Sequence, residues 1–173
     1  MRKIKLSFIT VCLAGMLSLP CSVLAEWTVE THSSDENTGI TVPVAYTKNQ
    51  DGYSLEIYQD SVNAVRGRFT LPGLLRFMDK SCPTYQIDRN VPVNRSINEA
   101  LCLSGGNWAE FILGYNTNQH ITSPSLLSIM NGITITVRFK LENGDYRDTT
   151  FSLDGSKRAM ITIFGGDVTV SAR

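Results

Sequence analysis

Side chains that could act as acids, bases or metal ligands are sparse in this sequence of 173 residues. The two histidines, His32 and His120, each lie in a polar stretch, where a solvated loop position is the simpler interpretation. The sequence contains no nucleophile elbow, no zinc-binding helix motif and no phosphate-binding loop. Residue chemistry therefore predicts no catalytic residue, no cofactor and no metal ligand.

A loop-borne polar site is the alternative that the sequence leaves open. Asp79, Asp88 and Glu99 supply carboxylates in the middle of the chain, and Arg89 and His120 could join them. General acid–base catalysis needs two such groups held close together with displaced pKa values. Convergence of these residues would indicate a small enzyme or an enzyme inhibitor, whereas turn and surface roles are the simpler interpretation for each.

The first 25 residues have the pattern of a secretory signal peptide. A basic start precedes an apolar run that is too short to span a bilayer reliably. Residues 23–25 fit the small-x-small rule, which predicts cleavage between Ala25 and Glu26. A lipoprotein would need a small residue before Cys21, and a proline stands there. The sequence therefore predicts export, with the chain periplasmic, secreted or at the cell surface.

Cleavage would leave residues 26–173 as a single domain with a slightly acidic balance. It removes three of the 16 basic residues and none of the 16 acidic ones, so 13 remain against 16, a formal net charge of −3. A nucleic-acid partner would need a basic stripe, which this composition lacks. Without a run of like charges, no membrane surface is indicated either. A protein partner in the cell envelope is the remaining expectation.

Cysteine usage agrees with export. Cys12 and Cys21 lie in the predicted signal peptide, so Cys82 and Cys102 are the pair left in the mature chain. An even pair in an oxidising compartment predicts a disulfide. In the chain-entropy model, a loop of this length contributes about 3 kcal/mol to stability. A redox or metal pair would call for a C-x-x-C spacing or a neighbouring histidine, and neither is present.

The stretch from Ser123 to Gly166 gives the clearest structural pattern. Ser123 and a following proline predict a helix start, and Asn131-Gly132 predicts a left-handed helix end. Strict alternation over 133–140 then predicts a strand with one buried face. The turn at Asn143-Gly144 predicts a hairpin with a returning strand over 146–153. Ser156 is expected to cap a short helix over 157–164.

The rest of the chain reads as short strands separated by turn signals every eight to twelve residues. This spacing predicts a mainly β fold, an antiparallel β-sandwich or barrel-like domain with one or two short helices. The stretch 74–78 fits either a strand or a short helix. Trp27 and Trp108 are expected in or near the core. Four tyrosines are candidates for an exposed recognition surface: Tyr46, Tyr53, Tyr58 and Tyr115.

Several short motifs resemble the invasion-associated locus B family of exported bacterial proteins. They are Trp27-Thr28-Val29, Cys102 with Trp108-Ala109-Glu110-Phe111, Leu126-Leu127 before a glycine, and Phe151-Ser152-Leu153-Asp154-Gly155-Ser156 followed by Ala159. The chain departs from the family at Thr31, where members often carry a cysteine. It also departs in the centre, where members often have two close cysteines, whereas Cys102 has its only mature partner at Cys82. The resemblance implies an all-β, non-enzymatic periplasmic or surface protein, linked in some members to host-cell invasion, and it supplies no catalytic residues.

Three classes of function fit these observations. An exported, non-catalytic binding or accessory module with a protein partner fits best, because catalytic signatures are missing and strands dominate. A small periplasmic enzyme or enzyme inhibitor is the alternative, and it needs the polar loop residues to converge. A purely structural envelope protein would show neither a pocket nor an exposed aromatic face.

Export gives the first testable prediction. Mass spectrometry of the purified protein should find Glu26 at the N-terminus, because signal peptidase cleaves after a small residue such as Ala25. An intact Met1 on a membrane-bound form would contradict it.

Overall fold

The structure, a computed structural model, describes residues 26–33, 41–93 and 102–172. The predicted signal peptide, Glu99 and most of the expected loop over 32–39 lie outside the described residues. The described strands are β1 (Thr28–Ser33), β2 (Thr41–Lys48), β3 (Ser54–Gln59), β4 (Ala64–Thr70), β5 (Thr84–Ile87), β6 (Cys102–Gly105), β7 (Trp108–Thr117), β8 (His120–Thr122), β9 (Thr134–Lys140), β10 (Tyr146–Ser152) and β11 (Thr169–Ser171). The described helices are α1 (Pro124–Asn131) and α2 (Ser156–Phe164).

The strands form two sheets, in agreement with the predicted mainly β fold. The large sheet has the order β1-β2-β3-β4-β7-β8-β11, and β6 pairs with β7 as well. The small sheet has the order β10-β9-β5. Every pairing is antiparallel except that of β8 with β11, which is parallel. None of the described helices is long and apolar enough to cross a membrane.

A cluster of aromatic rings fills the space between the sheets. Phe69 of β4 is fully buried, and its ring centroid lies 5.3 Å from that of Phe139 on the small sheet. Tyr53, Phe77 and Phe151 surround the same ring at centroid distances of 5.9, 5.9 and 6.1 Å. Ring pairs of this geometry contribute about 0.5–1.5 kcal/mol each beyond the area that they bury. The cluster therefore holds the two sheets together.

The segment between β4 and β5 is neither a strand nor a helix, so both expectations for 74–78 were wrong. Phe77 inserts into the core, and its backbone N–H donates to the carbonyl of Gly106 at 2.8 Å. The next N–H, that of Met78, donates to Lys140 of β9 at 2.9 Å. Because it must bridge the two sheets, the segment cannot pair along its length with either.

Both sides of the sandwich are closed by specific links. On the β10 side, the indole Nε1 of Trp27 donates to the carbonyl of Ser152 at 2.9 Å, and the Asn49 side-chain amide donates to the carbonyl of Thr150 at 3.2 Å. On the other side, the predicted disulfide is present: Cys82, just before β5, is bonded to Cys102 of β6, with Cα atoms 6.1 Å apart. Each link joins one sheet to the other.

The start of α1 is as predicted, but its end is not. The Ser123 hydroxyl accepts a hydrogen bond from the backbone N–H of Leu126 at 3.0 Å. Gly132, however, has φ −80° and is extended rather than left-handed. A Cβ atom at Gly132 would lie 2.7 Å from Ile87 and 3.0 Å from Leu153. The glycine is therefore required by close packing and not by a left-handed cap.

Ser156 is not the cap of α2, contrary to expectation. Gly155, with φ +82°, precedes the helix, and Ser156 is its first residue. The fully buried Ser156 hydroxyl instead donates to the carbonyl of Ile129 in α1 at 2.9 Å. The serine is used to join the two helices, because the left-handed Gly155 already turns the chain into α2. The helix ends at Gly165, which has φ +90°.

The alternation in β9 gives a stability prediction. Val137 is 2% exposed and faces the core, whereas Thr136 is half-buried on the outer face of the small sheet. Val137→Asp should lower the free energy of unfolding by several kcal/mol, because it buries an unpaired charge. Thr136→Asp should cost far less. Equal shifts in thermal melting for the two variants would mean that both faces of β9 are covered.

Candidate functional site

The outward face of the large sheet, the face opposite the core, carries the most organised set of polar side chains. Antiparallel register places Glu56 of β3 beside Arg68 of β4, and Arg68 beside Glu110 of β7. Two residues away, Tyr58 lies beside Arg66. Period-two alternation puts the side chains of these five strand residues on one face. Four of them, Tyr58, Arg66, Arg68 and Glu110, together with Asp60 from the turn between β3 and β4, are called the Glu110 cluster below.

Glu110 is the hub of this cluster and is only 6% exposed. One carboxylate oxygen, Oε1, accepts from Arg66 Nη1 at 2.8 Å. The other, Oε2, accepts from Arg68 at 3.1 Å (Nε) and 2.9 Å (Nη2) and from the hydroxyl of Tyr58 at 2.5 Å. A buried carboxylate is tolerated only when it is paired and hydrogen-bonded, and these four bonds meet that condition.

Asp60 anchors the second guanidinium of the cluster. Its carboxylate accepts from Arg66 Nε at 2.7 Å and from the backbone N–H groups of Ala64 and Val62 at 2.8 and 3.0 Å. Partial burial raises the pKa of Asp60, but the bonds from Arg66 and the backbone outweigh it and leave the pKa below its usual value. The turn between β3 and β4 thus fixes the position of Arg66.

The electrostatics of the cluster favour fixed charges over proton transfer. Burial raises the pKa of Glu110, yet the donors Tyr58, Arg68 and Arg66 outweigh it, so the pKa lies below its usual value. Burial and the adjacent Glu110 raise the pKa of Tyr58 far above its usual range. Both pKa values are therefore shifted away from neutral pH, whereas a general acid or base works best with a pKa near neutral pH. The geometry suits binding better than acid–base chemistry.

Arg68 also lies between two aromatic rings. Its guanidinium carbon is 5.6 Å from the ring centroid of Tyr58 and 5.3 Å from that of Trp108. A Cβ atom at Gly105 would approach the indole of Trp108 to 3.0 Å, so the absence of a side chain on β6 lets the indole lie against its backbone. On the same face, Leu103 is 60% exposed and pairs in register with Glu110. Arg68, Tyr58 and Trp108 form an ordered aromatic–cation layer.

The β1 side of the outward face is more acidic. His32 Nε2 lies 3.2 Å from Glu30, and its Nδ1 lies 3.6 Å from Glu56. Burial raises the pKa of Glu56, although the nearby His32 and Arg68 lower it in part. Tyr46 meets the His32 ring edge-on, with centroids 6.2 Å apart. This side of the face therefore has two carboxylates beside His32, and one of them, Glu56, also lies beside Arg68.

The histidines do not lie in loops, contrary to expectation. His32 belongs to β1, because its alternation with Thr28 and Glu30 continues the strand to Ser33. His120 begins β8, where its Nε2 lies 3.1 Å from the hydroxyl of Ser171.

The polar loop residues are not joined to one another. Asp88 accepts from the backbone N–H groups of Ile133 and Thr134 at 3.0 and 2.9 Å, so it ties the end of β5 to the start of β9. These bonds hold the pKa of Asp88 below its usual value. Within the described part of the chain, no hydrogen bond or ion pair connects any two of four candidates: Asp79, Asp88, Arg89 and His120.

The candidate tyrosines divide between core and surface. Tyr53 is 7% exposed and packs in the core, whereas Tyr115 is 54% exposed. Tyr46 and Tyr58 are half-buried on the outward face. Residue chemistry missed Arg66 and Arg68, although their spacing in β4 and the Trp108–Glu110 spacing in β7 place each pair on one face. Among the described residues, no group of three or more histidine, cysteine or acidic side chains is placed to hold a metal ion.

These features define a β-sandwich domain with an ordered charged and aromatic surface on its large sheet. The fold is similar to the crystal structure of invasion associated protein B from Bartonella henselae, with a TM-score of 0.51. The match covers 81% of this chain and 92% of that chain at 10% sequence identity, a level at which the likeness concerns the fold. No family model and no curated protein matches the sequence.

The paired state of Glu110 gives a second stability prediction. Glu110→Gln should lower the free energy of unfolding by about 2 kcal/mol at pH 7, because hydrogen bonds to a charged group are lost. A carboxyl with a lowered pKa in the folded state stabilises above its unfolded pKa, and the stabilisation is lost as the pH falls through the folded value. The difference between variant and wild type should therefore narrow below about pH 4, as measured by urea unfolding.

The control for this experiment is the exposed ion pair of Arg138 and Asp148 on the small sheet, whose bonds are 2.7 and 2.8 Å. Asp148→Asn should have a much smaller effect at pH 7, because exposed pairs contribute little. An equal effect of the two variants would show that the Glu110 cluster is no more stabilising than a surface pair.

Proposed function

We propose that this protein is an exported, non-catalytic binding module related to the invasion-associated locus B family. The outward face of the large sheet, centred on Arg68, serves as its binding surface. The observation that carries the proposal is the layer in which Arg68 lies between Tyr58 and Trp108 and is bonded to Glu110. The likeness of fold to invasion associated protein B supports it.

The composition of this layer is that of an interface hot spot. Tryptophan, tyrosine and arginine are the residues that most often dominate the energy of protein–protein binding. The Arg68 side chain remains 39% exposed although it is fixed by three hydrogen bonds and two aromatic rings. A side chain that is already ordered loses little conformational entropy when a partner binds. A protein partner in the cell envelope therefore fits this surface.

The location of the protein belongs to the same proposal. Removal of the predicted signal peptide at Ala25 gives a chain with formal net charge −3, which suits a protein partner better than a nucleic acid. The Cys82–Cys102 disulfide suits an oxidising compartment. A role in contact with host cells is proposed only by analogy with the name of the structural neighbour.

The test is affinity capture from an envelope extract, followed by measurement with the purified partner. Arg68→Ala should weaken binding at least tenfold, because it removes the centre of the layer. Arg138→Ala is the matched control, since Arg138 is also a strand arginine paired with a carboxylate but lies on the small sheet. The two variants should first be shown to be folded by thermal melting. Unchanged binding by Arg68→Ala would contradict the proposal.

A further inference from the structure

The edges of the two sheets differ in how well they are closed. At the β10 edge, the carbonyls of Thr150 and Ser152 are occupied by the side chains of Asn49 and Trp27. At the β5 edge, Tyr85 exchanges two backbone hydrogen bonds with Val93, at 3.2 and 2.8 Å. At each edge of the small sheet, part of the outward backbone is therefore already bonded.

Two edges of the large sheet are short. β6 has four residues and begins at Cys102, which the disulfide ties to the small sheet. β11 has three residues and is held by β8 in parallel pairing. Strands of this length offer little backbone to an added strand, since shortness is one of the ways in which proteins protect an edge.

β1 is different. It has six residues, pairs with β2 along its whole length, and has no strand on its other side within the described part of the chain. It contains no proline, lysine or register shift, the features that commonly protect an edge. Its side chain Val29 is 44% exposed. About half of its backbone N–H and C=O groups therefore face a side on which another strand could pair.

The charges beside this edge indicate what kind of strand would pair there. Glu30 lies on β1 with its side chain 44% exposed, and Glu56 lies two strands away on the same face. Glu30 lies 3.2 Å from His32, whereas Glu56 lies 3.6 Å from His32, is only 12% exposed and also lies beside Arg68 in register. Asp148 on the β10 edge, by contrast, already has two bonds to Arg138. Glu30 is therefore an exposed carboxylate at the β1 edge, with no ion pair to a lysine or arginine among the described residues, and it could meet an incoming cation.

We infer that β1 is a docking edge for an extended segment of a partner protein that carries lysine or arginine at alternate positions. Backbone pairing with Thr28–Ser33 would supply affinity, and basic side chains on the outward face would meet Glu30 across the strand pair. The inference rests on the proposed function, because it states how the partner would extend the binding surface. A second copy of this chain fits less well, since its β1 would bring a second Glu30 to the edge and no lysine or arginine.

The test uses two nine-residue peptides as probes, one alternating threonine with lysine and one alternating threonine with glutamate. Binding is measured by NMR on the isotope-labelled protein, together with amide hydrogen exchange. The lysine peptide should shift and protect the amides of Thr28–Ser33, and the glutamate peptide should not. Equal binding of both peptides, or protection at another edge, would overturn the inference. Protection of β1 that grows with protein concentration without peptide would assign the edge to a second copy and would also overturn it.

Variants of Glu30 test whether its charge is the one that binds the lysine peptide. Glu30→Lys should weaken the lysine peptide at least fivefold, and the milder Glu30→Gln should weaken it by less. Asp148→Lys is the matched control, because it makes the same charge change on an exposed strand of the small sheet. Asp148→Lys should leave the affinity for the lysine peptide unchanged. An equal loss of affinity with Asp148→Lys would show that the effect comes from net charge alone and would refute docking at β1.

The same variants separate this inference from the proposed function. In the assay with the purified envelope partner, Glu30→Lys should weaken binding as Arg68→Ala does. Retained binding by Glu30→Lys with loss by Arg68→Ala would refute docking at β1 and leave the proposed function intact. Retained binding by both variants would refute both.

Discussion

The burial of Phe69 between the two sheets is the constraint on which both the core and the candidate surface depend. Its ring contacts rings from both sheets, and β4 has a sheet neighbour on each side. Because side chains alternate along a strand, fixing Phe69 inward fixes Arg66 and Arg68 outward. A shift of one residue in the register of β4 would exchange the two sets. The register of β4 in the sheet therefore determines both the core and the Glu110 cluster.

The Glu110 cluster shows how the sheet can carry ionised groups on a partly buried face. A carboxylate that is 6% exposed has lost most of its hydration, which is costly unless other groups replace the water. Two arginines and a tyrosine supply the replacement, and Asp60 in turn holds one arginine. Such a network fixes the orientation of Arg68 before any partner arrives. The rigidity that stabilises the sheet is also the property on which the proposed binding role of this surface depends.

Local patterns in the sequence predicted those features that depend on neighbouring residues alone. The alternation in β9 and the cap at Ser123 are of this kind. The disulfide joins residues 20 positions apart, and it was predicted instead from the cysteines left after the expected cleavage. The role of Gly132 was missed, because the side chains that crowd it come from β5 and from the end of β10. Ser156 was misassigned for a similar reason, since its partner is a carbonyl in α1.

The charged surface was harder to predict than the core. Hydrophobic alternation identifies which residues are buried, but it does not say which strands become neighbours. Arg68 and Glu110 are 42 positions apart in the chain, and the pairing of β4 with β7 that joins them skips over β5 and β6. The spacing of residues within each strand indicates which side chains share a face of the sheet. Only the sheet topology shows that β4 and β7 are neighbours and bring Arg68 and Glu110 together.

The link from Trp27 to Ser152 has a consequence for the order in which the chain folds. The two residues are 125 positions apart, so the side of the sandwich that Trp27 closes cannot form until nearly all of the chain is available. Contacts between distant residues slow folding, because a large loop must be ordered before they form. If the chain crosses a membrane N-terminus first, as the predicted signal peptide implies, the Trp27–Ser152 bond can form only after β10 has also crossed. Such a delay would favour passage in the unfolded state and completion of the sandwich on the far side.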